Sequence, residues 1–264
     1  MAMPLDLVLV RHGESVGNEA IRKAKAGEAV ASAQDQHSSR RWMLTDTGRK
    51  QAEGAGAWLR EQKLDVYDRH YCSPYVRAMQ TAALLRLSDA EWWVEPLVRE
   101  RDRGYEYVSQ PQERAAQFAH SARTRRDDRF LWRPAGGESI TDVDLRLRQV
   151  LATLARELDG RRVICVTHED AMDAMRFRLE KMTIEHFTKL AENERDRIGN
   201  GWVLHYTRRN PDKPSAVEDK FGWVRLVDPE GAGGFEWRAI ERVRFSNEEL
   251  IDMAEREGTQ FARR

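Results

Sequence analysis

Cysteines and long apolar stretches, two features that place many chains in a broad class of protein, are scarce in this sequence. It holds only two cysteines in 264 residues, Cys72 and Cys165, with neither a CxxC pair nor a framework spacing. We therefore expect no disulfide scaffold, and two buried free thiols in a reducing compartment. No apolar stretch approaches membrane-spanning length, and no secretory apolar segment opens the chain. The sequence therefore predicts a cytoplasmic protein without a membrane partner.

An excess of charge of one sign is also lacking. Lys plus Arg and Asp plus Glu both number 44, so the formal net charge is zero. Nonspecific nucleic-acid binding uses a general basic field, and we expect no nucleic-acid partner for this chain. Any anion site must therefore be local. Five of the histidines show no metal-ligand spacing: His37, His70, His120, His186 and His205.

Strand and helix patterns alternate up to about residue 190. Apolar runs at Leu5 to Val10 and Val163 to Val166 predict buried strands, and Ser139 with Asp142 predicts the capped start of a long helix. This alternation is typical of an α/β three-layer sandwich, with a mostly parallel central sheet flanked by helices. A C-terminal antiparallel β extension is predicted from three further segments, Trp202 to Tyr206, Trp223 to Val227 and Phe235 to Phe245.

No Pro/Ser-rich linker or low-complexity tract divides the chain, and we expect a single domain over residues 1–264. Its parts are a core of about 5–198, an insertion of about 101–138 and an extension of about 199–264. A long irregular insertion in a compact enzyme usually covers or shapes a site, so the insertion is expected to act as a lid. The extension is also a candidate edge for a homodimer.

Both predicted apolar strands lead directly into a histidine. Arg11-His12-Gly13 follows the first strand, and Thr167-His168-Glu169 follows the second. Open α/β sheets place ligands at the carboxyl ends of buried strands, and the helix N-termini found there attract anions. A histidine beside an arginine at this point indicates phosphate chemistry at the imidazole.

Six segments occur in an order that carries more information than any one of them. They are Arg11-His12-Gly13-Glu14-Ser15 with Asn18, Leu44-Thr45-Asp46-Thr47-Gly48, Ser73-Pro74-Tyr75-Val76-Arg77-Ala78-Met79-Gln80-Thr81-Ala82, Arg99-Glu100-Arg101-Asp102-Arg103-Gly104, Gly136-Gly137-Glu138-Ser139 and Val166-Thr167-His168. Together they closely resemble the motifs of the histidine phosphatase superfamily, the phosphoglycerate-mutase-like proteins, over roughly residues 5–178.

The resemblance implies a phosphohistidine at His12, with Arg11, Arg77 and His168 holding the phosphate and Asn18 alongside them. It implies no metal and no organic cofactor. Ser15, Glu169 and Arg101 are further candidates for substrate binding.

Elementary chemistry assigns to the central residues the same roles that the resemblance implies. A phosphoryl acceptor must be neutral and unhindered near pH 7, as the imidazole of His12 can be. The charge on the equatorial oxygens calls for forked guanidinium donors, which Arg11 and Arg77 supply, with His168 as a further donor. The leaving alkoxide needs a proton from a carboxyl that its environment keeps protonated, and Glu100 is the first candidate.

One departure from the family pattern leaves the proton donor open. Members closest to the mutases generally have glycine after the second histidine, whereas this chain has Glu169. In the acid-phosphatase and phytase branch, an aspartate at that position donates the proton. Glu169 is therefore a rival to Glu100, whose Arg-Glu-Arg-Asp context resembles the mutase-like branch. The alternating charges around Glu100 are also compatible with a solvated ion-pair cluster.

The segment Arg129-Phe130-Leu131-Trp132-Arg133-Pro134 resembles the phosphatase members rather than the longer lid of phosphoglycerate mutases. We therefore expect a cofactor-independent phosphomonoesterase that acts on a small-molecule phosphate ester. A phosphoglycerate-type mutase using the same phosphohistidine is the first alternative. A non-catalytic regulatory or scaffolding protein that retains the fold is the second.

Overall fold

A computed structural model of the chain describes residues 2–28, 39–104, 128, 130–193, 197–231 and 236–262. Its strands are β1 (Asp6–Arg11), β2 (Arg69–Cys72), β3 (Trp92–Val94), β4 (Arg162–Thr167), β5 (Val203–Thr207), β6 (Arg209–Asn210), β7 (Lys213–Val217), β8 (Trp223–Val227) and β9 (Arg238–Ala239). Its α-helices are α1 (Val16–Lys25), α2 (Asp46–Glu61), α3 (Val76–Leu84), α4 (Ile140–Glu157), α5 (Glu169–Leu179), α6 (Ile184–Glu192) and α7 (Asn247–Ala262). Two 3₁₀ turns span Ser39–Arg41 and Pro96–Val98.

The central sheet has the strand order β3-β2-β4-β1-β5-β8-β9. Its first four strands run parallel, and the last three are each antiparallel to the strand before them. The predicted α/β sandwich with a C-terminal antiparallel extension is therefore confirmed. Seven of the nine described strands belong to this one sheet, and the single-domain organisation stays a prediction.

Both faces of the sheet are covered by helices, which explains why β1 is apolar throughout. Leu7 and Leu9 pack in one core cluster with side chains of α4 and α5. Val8 and Val10 point to the opposite face and pack with side chains of α2 and α3. Successive side chains of a strand alternate between faces, so a strand buried on both sides has no polar stripe. The two cysteines are buried free thiols, as expected, one in each cluster.

The register of the sheet brings the two strand-end histidines together. In the parallel pair β1–β4, Arg11 is paired with Thr167, and the His12 N–H donates to the Thr167 carbonyl at 3.1 Å. His12 and His168 therefore leave the sheet from neighbouring strands at the same level. This edge, where helices α1, α3 and α5 begin, is the one that the sequence predicts as the ligand site.

The C-terminal region differs from its predicted form in one place. The predicted strands at Trp202 to Tyr206 and Trp223 to Val227 occur as β5 and β8, but the strand predicted over residues 235–245 is reduced to β9. Beyond β9 the chain leaves the sheet, and Val243 and Phe245 are exposed, so their alternation with charges marks no buried face. The short hairpin β6–β7 was not predicted.

Most of the predicted lid insertion, residues 105–127 and 129, lies outside the described residues, as does the short helix expected over residues 112–123. Among the helices that the structure describes, none is both long and apolar enough to cross a membrane.

Candidate active site

His12 is held as a neutral imidazole that keeps its proton on Nδ1 and its lone pair on Nε2. Its Nδ1 lies 2.7 Å from the Gly13 carbonyl oxygen, which can only accept, so Nδ1 carries the proton and Nε2 does not. The Arg77 Nε–H donates to that Nε2 at 2.9 Å. Burial, assisted by the charges of Arg77 and Arg11, lowers the pKa of His12 well below its ordinary value of 6.5. The imidazole is therefore available as a nucleophile near neutral pH.

The turn after His12 packs backbone against backbone. A Cβ on Gly13 would lie 2.1 Å from the Gly48 carbonyl oxygen, and one on Gly48 would lie 1.9 Å from the Glu14 carbonyl oxygen. The Gly13 N–H also donates to the Thr81 hydroxyl of α3 at 3.1 Å. The turn that aims His12 is thus fixed between the start of α2 and the middle of α3, and only glycine fits at this close approach.

Arg77 lies in the first turn of α3 and is 3% exposed. Its Nη1 donates to the Ser39 carbonyl at 2.6 Å, and its guanidinium stacks on the rings of Tyr75 at 4.9 Å and Trp42 at 5.7 Å. These contacts fix the guanidinium in one orientation. An arginine held in this way is preorganised for an anion beside His12.

His168 lies beside His12, with their ring centroids 5.0 Å apart. It is fully buried, its Nε2 lies 2.8 Å from the Ser73 hydroxyl oxygen, and its Nδ1 lies 3.9 Å from a Glu100 carboxyl oxygen. Burial, together with the charge of Arg77, lowers the pKa of His168 well below 6.5. The second imidazole is therefore also neutral.

Glu100 provides the carboxyl that faces this histidine pair, and its side chain is 15% exposed. Burial and the nearby charge of Asp170 raise its pKa from 4.5 to about 7, against the opposing effects of Arg77 and of the Arg101 N–H, which donates to Oε1 at 2.9 Å. A carboxyl with this pKa can hold or release a proton near neutral pH.

Arg146, a buried arginine of α4, anchors the loop that carries Glu100. It donates to the carbonyl groups of Leu97, Arg99 and Glu100, the last two at 3.0 and 3.3 Å. Its Nε also pairs with the carboxylate of Glu138 at 2.9 Å. The Glu100 side chain is therefore placed by helix α4 as well as by the loop itself.

Glu169, the rival carboxyl, pairs with two arginines. Arg11 Nη2 lies 2.9 Å from one of its oxygens, and Arg197 Nη2 lies 3.1 Å from the other. Arg11 also donates to the Ile198 carbonyl. Glu169 thus orients the Arg11 guanidinium and links it to the segment that precedes β5.

The other predicted binding residues have structural partners. Asn18 Oδ1 accepts from the Ser15 hydroxyl at 2.7 Å and from the Ser15 N–H at 3.1 Å, so the two residues form the capping box of α1. Arg101 donates to the Glu138 carbonyl at 2.6 Å and to the Trp132 carbonyl at 3.1 Å, and stacks on the Trp132 ring. Arg101 therefore holds the segment before α4 against the Glu100 loop.

Three residues at the site were not singled out from the sequence or were given little weight. Ser73 bonds to His168, Arg146 holds the Glu100 loop, and the Asn200 side-chain amide donates to the His12 carbonyl at 2.9 Å. Ser73 stands in one of the six motif segments and Asn200 lies between Gly199 and Gly201, but nothing in the sequence distinguishes Arg146 from the other arginines of an amphipathic helix.

His12, Glu100 and His168 place ligand atoms within 4.8 Å of one another, a spacing that a divalent cation could bridge. The charges of Arg77 and Arg11, however, both lower the pKa of His12, and they disfavour a metal cation beside this imidazole as they disfavour a proton on it. The electrostatics of the pocket therefore favour an anion such as a phosphoryl group over a cation.

Comparisons with known proteins show which family this chain is related to. The sequence model of one protein family, the histidine phosphatase superfamily (branch 1), matches residues 7–195 of this chain. The chain is 34% identical over 166 residues to an acid phosphatase of Mycobacterium tuberculosis, covering 61% of this chain and 69% of that protein. It is 30% identical over 161 residues to the fructose-2,6-bisphosphatase TIGAR B of Danio rerio, with 58% and 54% covered.

A 2,3-bisphosphoglycerate-dependent phosphoglycerate mutase of Methylorubrum populi matches over 201 residues at 28% identity, covering 70% of this chain and 83% of the mutase. Among solved structures, a mycobacterial glucosyl-3-phosphoglycerate phosphatase with inorganic phosphate superposes with a TM-score of 0.59 at 23% identity, covering 84% of this chain and 94% of that one. The relatives named as phosphatases support the expected phosphomonoesterase activity, and the mutase alternative fits less well. The resemblance in the motifs is confirmed, and the chain belongs to the histidine phosphatase superfamily, branch 1.

Proposed function

We propose that this protein is a phosphomonoesterase that transfers the phosphoryl group of a small-molecule phosphate ester first to Nε2 of His12 and then to water. One observation carries the proposal: a buried neutral imidazole presents its Nε2 lone pair toward the Arg77 guanidinium, beside a second imidazole and a carboxyl with a pKa of about 7. The set supplies a nucleophile, an anion clamp and a proton carrier within one pocket.

In the first step, the Arg77 Nε–H passes from His12 Nε2 to a phosphoryl oxygen of the bound ester, and the freed Nε2 lone pair attacks phosphorus while the bond from phosphorus to the ester oxygen breaks. The electron pair of that bond remains on the leaving oxygen, which takes the proton of the Glu100 carboxyl. The His12 Nδ1–H stays bonded to the Gly13 carbonyl, which stabilises the positive charge that develops on the ring.

The transferring phosphoryl group carries charge on its equatorial oxygens. The Arg77 guanidinium contacts the nucleophile directly, the charge of Arg11 also lowers its pKa, and the His168 ring lies against the same imidazole. Fixed cationic and N–H donors of this kind stabilise the transition state without reorganising during the reaction.

We assign the proton to Glu100 rather than to Glu169. Glu100 faces His168 with a raised pKa, and within the described part of the chain its carboxyl accepts one backbone hydrogen bond, from Arg101. Both oxygens of Glu169 accept from arginines, so its carboxylate is engaged in holding those guanidinium groups. Glu169 then acts by orienting Arg11.

In the second step, the Glu100 carboxylate left by the first step removes a proton from water as the water oxygen attacks phosphorus. The bond from phosphorus to Nε2 breaks, its electron pair returns to His12, and inorganic phosphate leaves. The mutase reaction would differ only in its acceptor, which would be a hydroxyl of the retained alcohol.

The proposal is tested with a panel of phosphate esters, each assayed for phosphate release and for acid-labile phosphoprotein, with and without 2,3-bisphosphoglycerate. His12→Ala should abolish both signals, whereas His186→Ala, a change outside the site, should leave them intact. Phosphate release that survives His12→Ala would refute the mechanism. Isomerisation without release would identify a mutase, and no signal with any ester would point to a non-catalytic protein.

A further inference from the structure

We propose that Ser73 is a positioning residue that fixes the ring proton of His168 on Nδ1, so that this imidazole offers an N–H to the phosphoryl group. His12 and His168 would then present opposite groups at the centre of the site, a lone pair on one and a proton on the other. The inference rests on the proposed phosphatase reaction and concerns how its second histidine is set for that reaction.

The register of the sheet places Ser73 against His168. Ser73 directly follows β2 and His168 directly follows β4, which are parallel neighbours in which Cys72 pairs with Val166. The Ser73 N–H donates to the Val166 carbonyl at 3.0 Å and thereby continues the ladder one residue beyond the strand. Both side chains are completely buried, and the Ser73 hydroxyl oxygen lies 2.8 Å from His168 Nε2.

The other partner of the Ser73 hydroxyl decides the direction of this hydrogen bond. The Tyr75 N–H donates to the Ser73 oxygen at 3.3 Å, and an amide N–H can only donate. The hydroxyl proton therefore needs an acceptor, and among the described residues His168 Nε2 is the one within reach. If Nε2 carried the proton instead, the buried hydroxyl would be left without an acceptor, which is unfavourable.

The other ring nitrogen of His168 shows what this arrangement provides. Nδ1 is buried, has no hydrogen-bond partner in the described part of the chain, and faces the space between Glu100 and His12. An N–H in that position would be satisfied by a phosphoryl oxygen. A lone pair in the same position would repel that oxygen, so the tautomer decides whether His168 attracts or opposes the phosphate.

The tautomer can be measured on the resting protein by ¹H–¹⁵N NMR of ¹⁵N-histidine-labelled samples, in which Nδ1–H and Nε2–H imidazoles give different coupling patterns. We expect His12 and His168 both to show Nδ1–H. In Ser73→Ala, the His168 signal should shift toward Nε2–H, and kcat/KM for p-nitrophenyl phosphate should fall roughly fivefold to tenfold, as for the loss of one hydrogen bond.

Ser139→Ala is the matched control, because Ser139 is also a buried serine whose hydroxyl accepts a backbone N–H. This variant should destabilise the fold to a comparable degree, but it should leave the tautomer of His168 and the kcat/KM of the enzyme unchanged. Ser73→Thr, which keeps the hydroxyl, should retain the Nδ1–H signal and most of the activity.

An Nε2–H signal for His168 in the unmodified protein would overturn the proposal, and this result does not require that Ser73→Ala fold. An unchanged tautomer and unchanged kcat/KM in a folded Ser73→Ala would also overturn it. Failure of the phosphatase mechanism would appear separately, as the absence of phosphohistidine on His12, while the tautomer measurement would still report on Ser73.

Discussion

Replacing Glu100 by glutamine should slow the enzyme in proportion to how much the leaving oxygen needs a proton. The carboxyl of Glu100 has a pKa raised from 4.5 to about 7 by burial and by the charge of Asp170. At pH 7, this shift raises its protonated fraction from about 0.3% to about half, a gain of about 160-fold. The environment of one side chain therefore decides whether the enzyme has a usable acid at neutral pH.

The expected pH profile follows from the sign of that shift. With an alkyl phosphate, whose leaving oxygen requires protonation, kcat/KM should be highest below the pKa of Glu100 and fall about tenfold per pH unit above about 7. Glu100→Gln should remove this basic limb and lower kcat/KM by roughly 10²- to 10⁴-fold. With p-nitrophenyl phosphate, whose leaving group is stable as an anion, the loss should be much smaller.

The assay is therefore a comparison of the two esters across pH, with phosphoprotein trapped in parallel. Glu100→Gln should accumulate phosphohistidine from the aryl ester, because the return step lacks its base. Glu169→Gln is the control: it should weaken substrate binding through Arg11 but keep the basic limb. If Glu100→Gln kept the limb and Glu169→Gln lost it, the assignment of the proton to Glu100 would be wrong.

Further expectations come from the same structure. Asp170→Asn removes the charge that helps to raise the pKa of Glu100, so the basic limb of kcat/KM should move to lower pH in the same assay. Arg77→Ala should lower kcat/KM by roughly 10²- to 10³-fold and raise the pKa of His12. The acidic limb of the kcat/KM profile, which reports protonation of His12, should therefore move to higher pH. Burial raises the pKa of Asp6, but hydrogen bonds and charges led by His205 outweigh it and lower the pKa below 3.8. Asp6→Asn should therefore cost roughly 1–3 kcal/mol of unfolding free energy at pH 6, measured by urea denaturation, and the difference should shrink as the pH falls below 3.8.

The parts of the site that could be predicted from the sequence lie at the ends of strongly patterned elements. The apolar runs that became β1 and β4 predict two buried strands, and each leads straight into a histidine. Local capping chemistry was equally informative: Ser139 and Asp142 form the reciprocal capping box that their spacing predicts. These signals depend on a few neighbouring residues, so no knowledge of the tertiary fold is needed to recognise them.

The remaining contacts depend on which distant segments meet. Ser73 is adjacent to His168, which lies 95 residues away in the sequence, because β2 pairs with β4. Arg146 is a positioning residue because α4 packs under the Glu100 loop, and its sequence context resembles that of any helical arginine. The choice between Glu100 and Glu169 also depends on burial and arginine pairing, which the local sequence does not encode.

The contact between Gly13 and Gly48 has a consequence for how this protein can change by mutation. Each glycine faces a backbone carbonyl rather than a side chain, at 2.1 Å and 1.9 Å from the position of an added Cβ. A clash with a side chain can be relieved by trimming that side chain, but a clash with a carbonyl cannot. Variants at either glycine should therefore lack second-site suppressors at the other, and a search for revertants of Gly13→Ala should recover glycine itself.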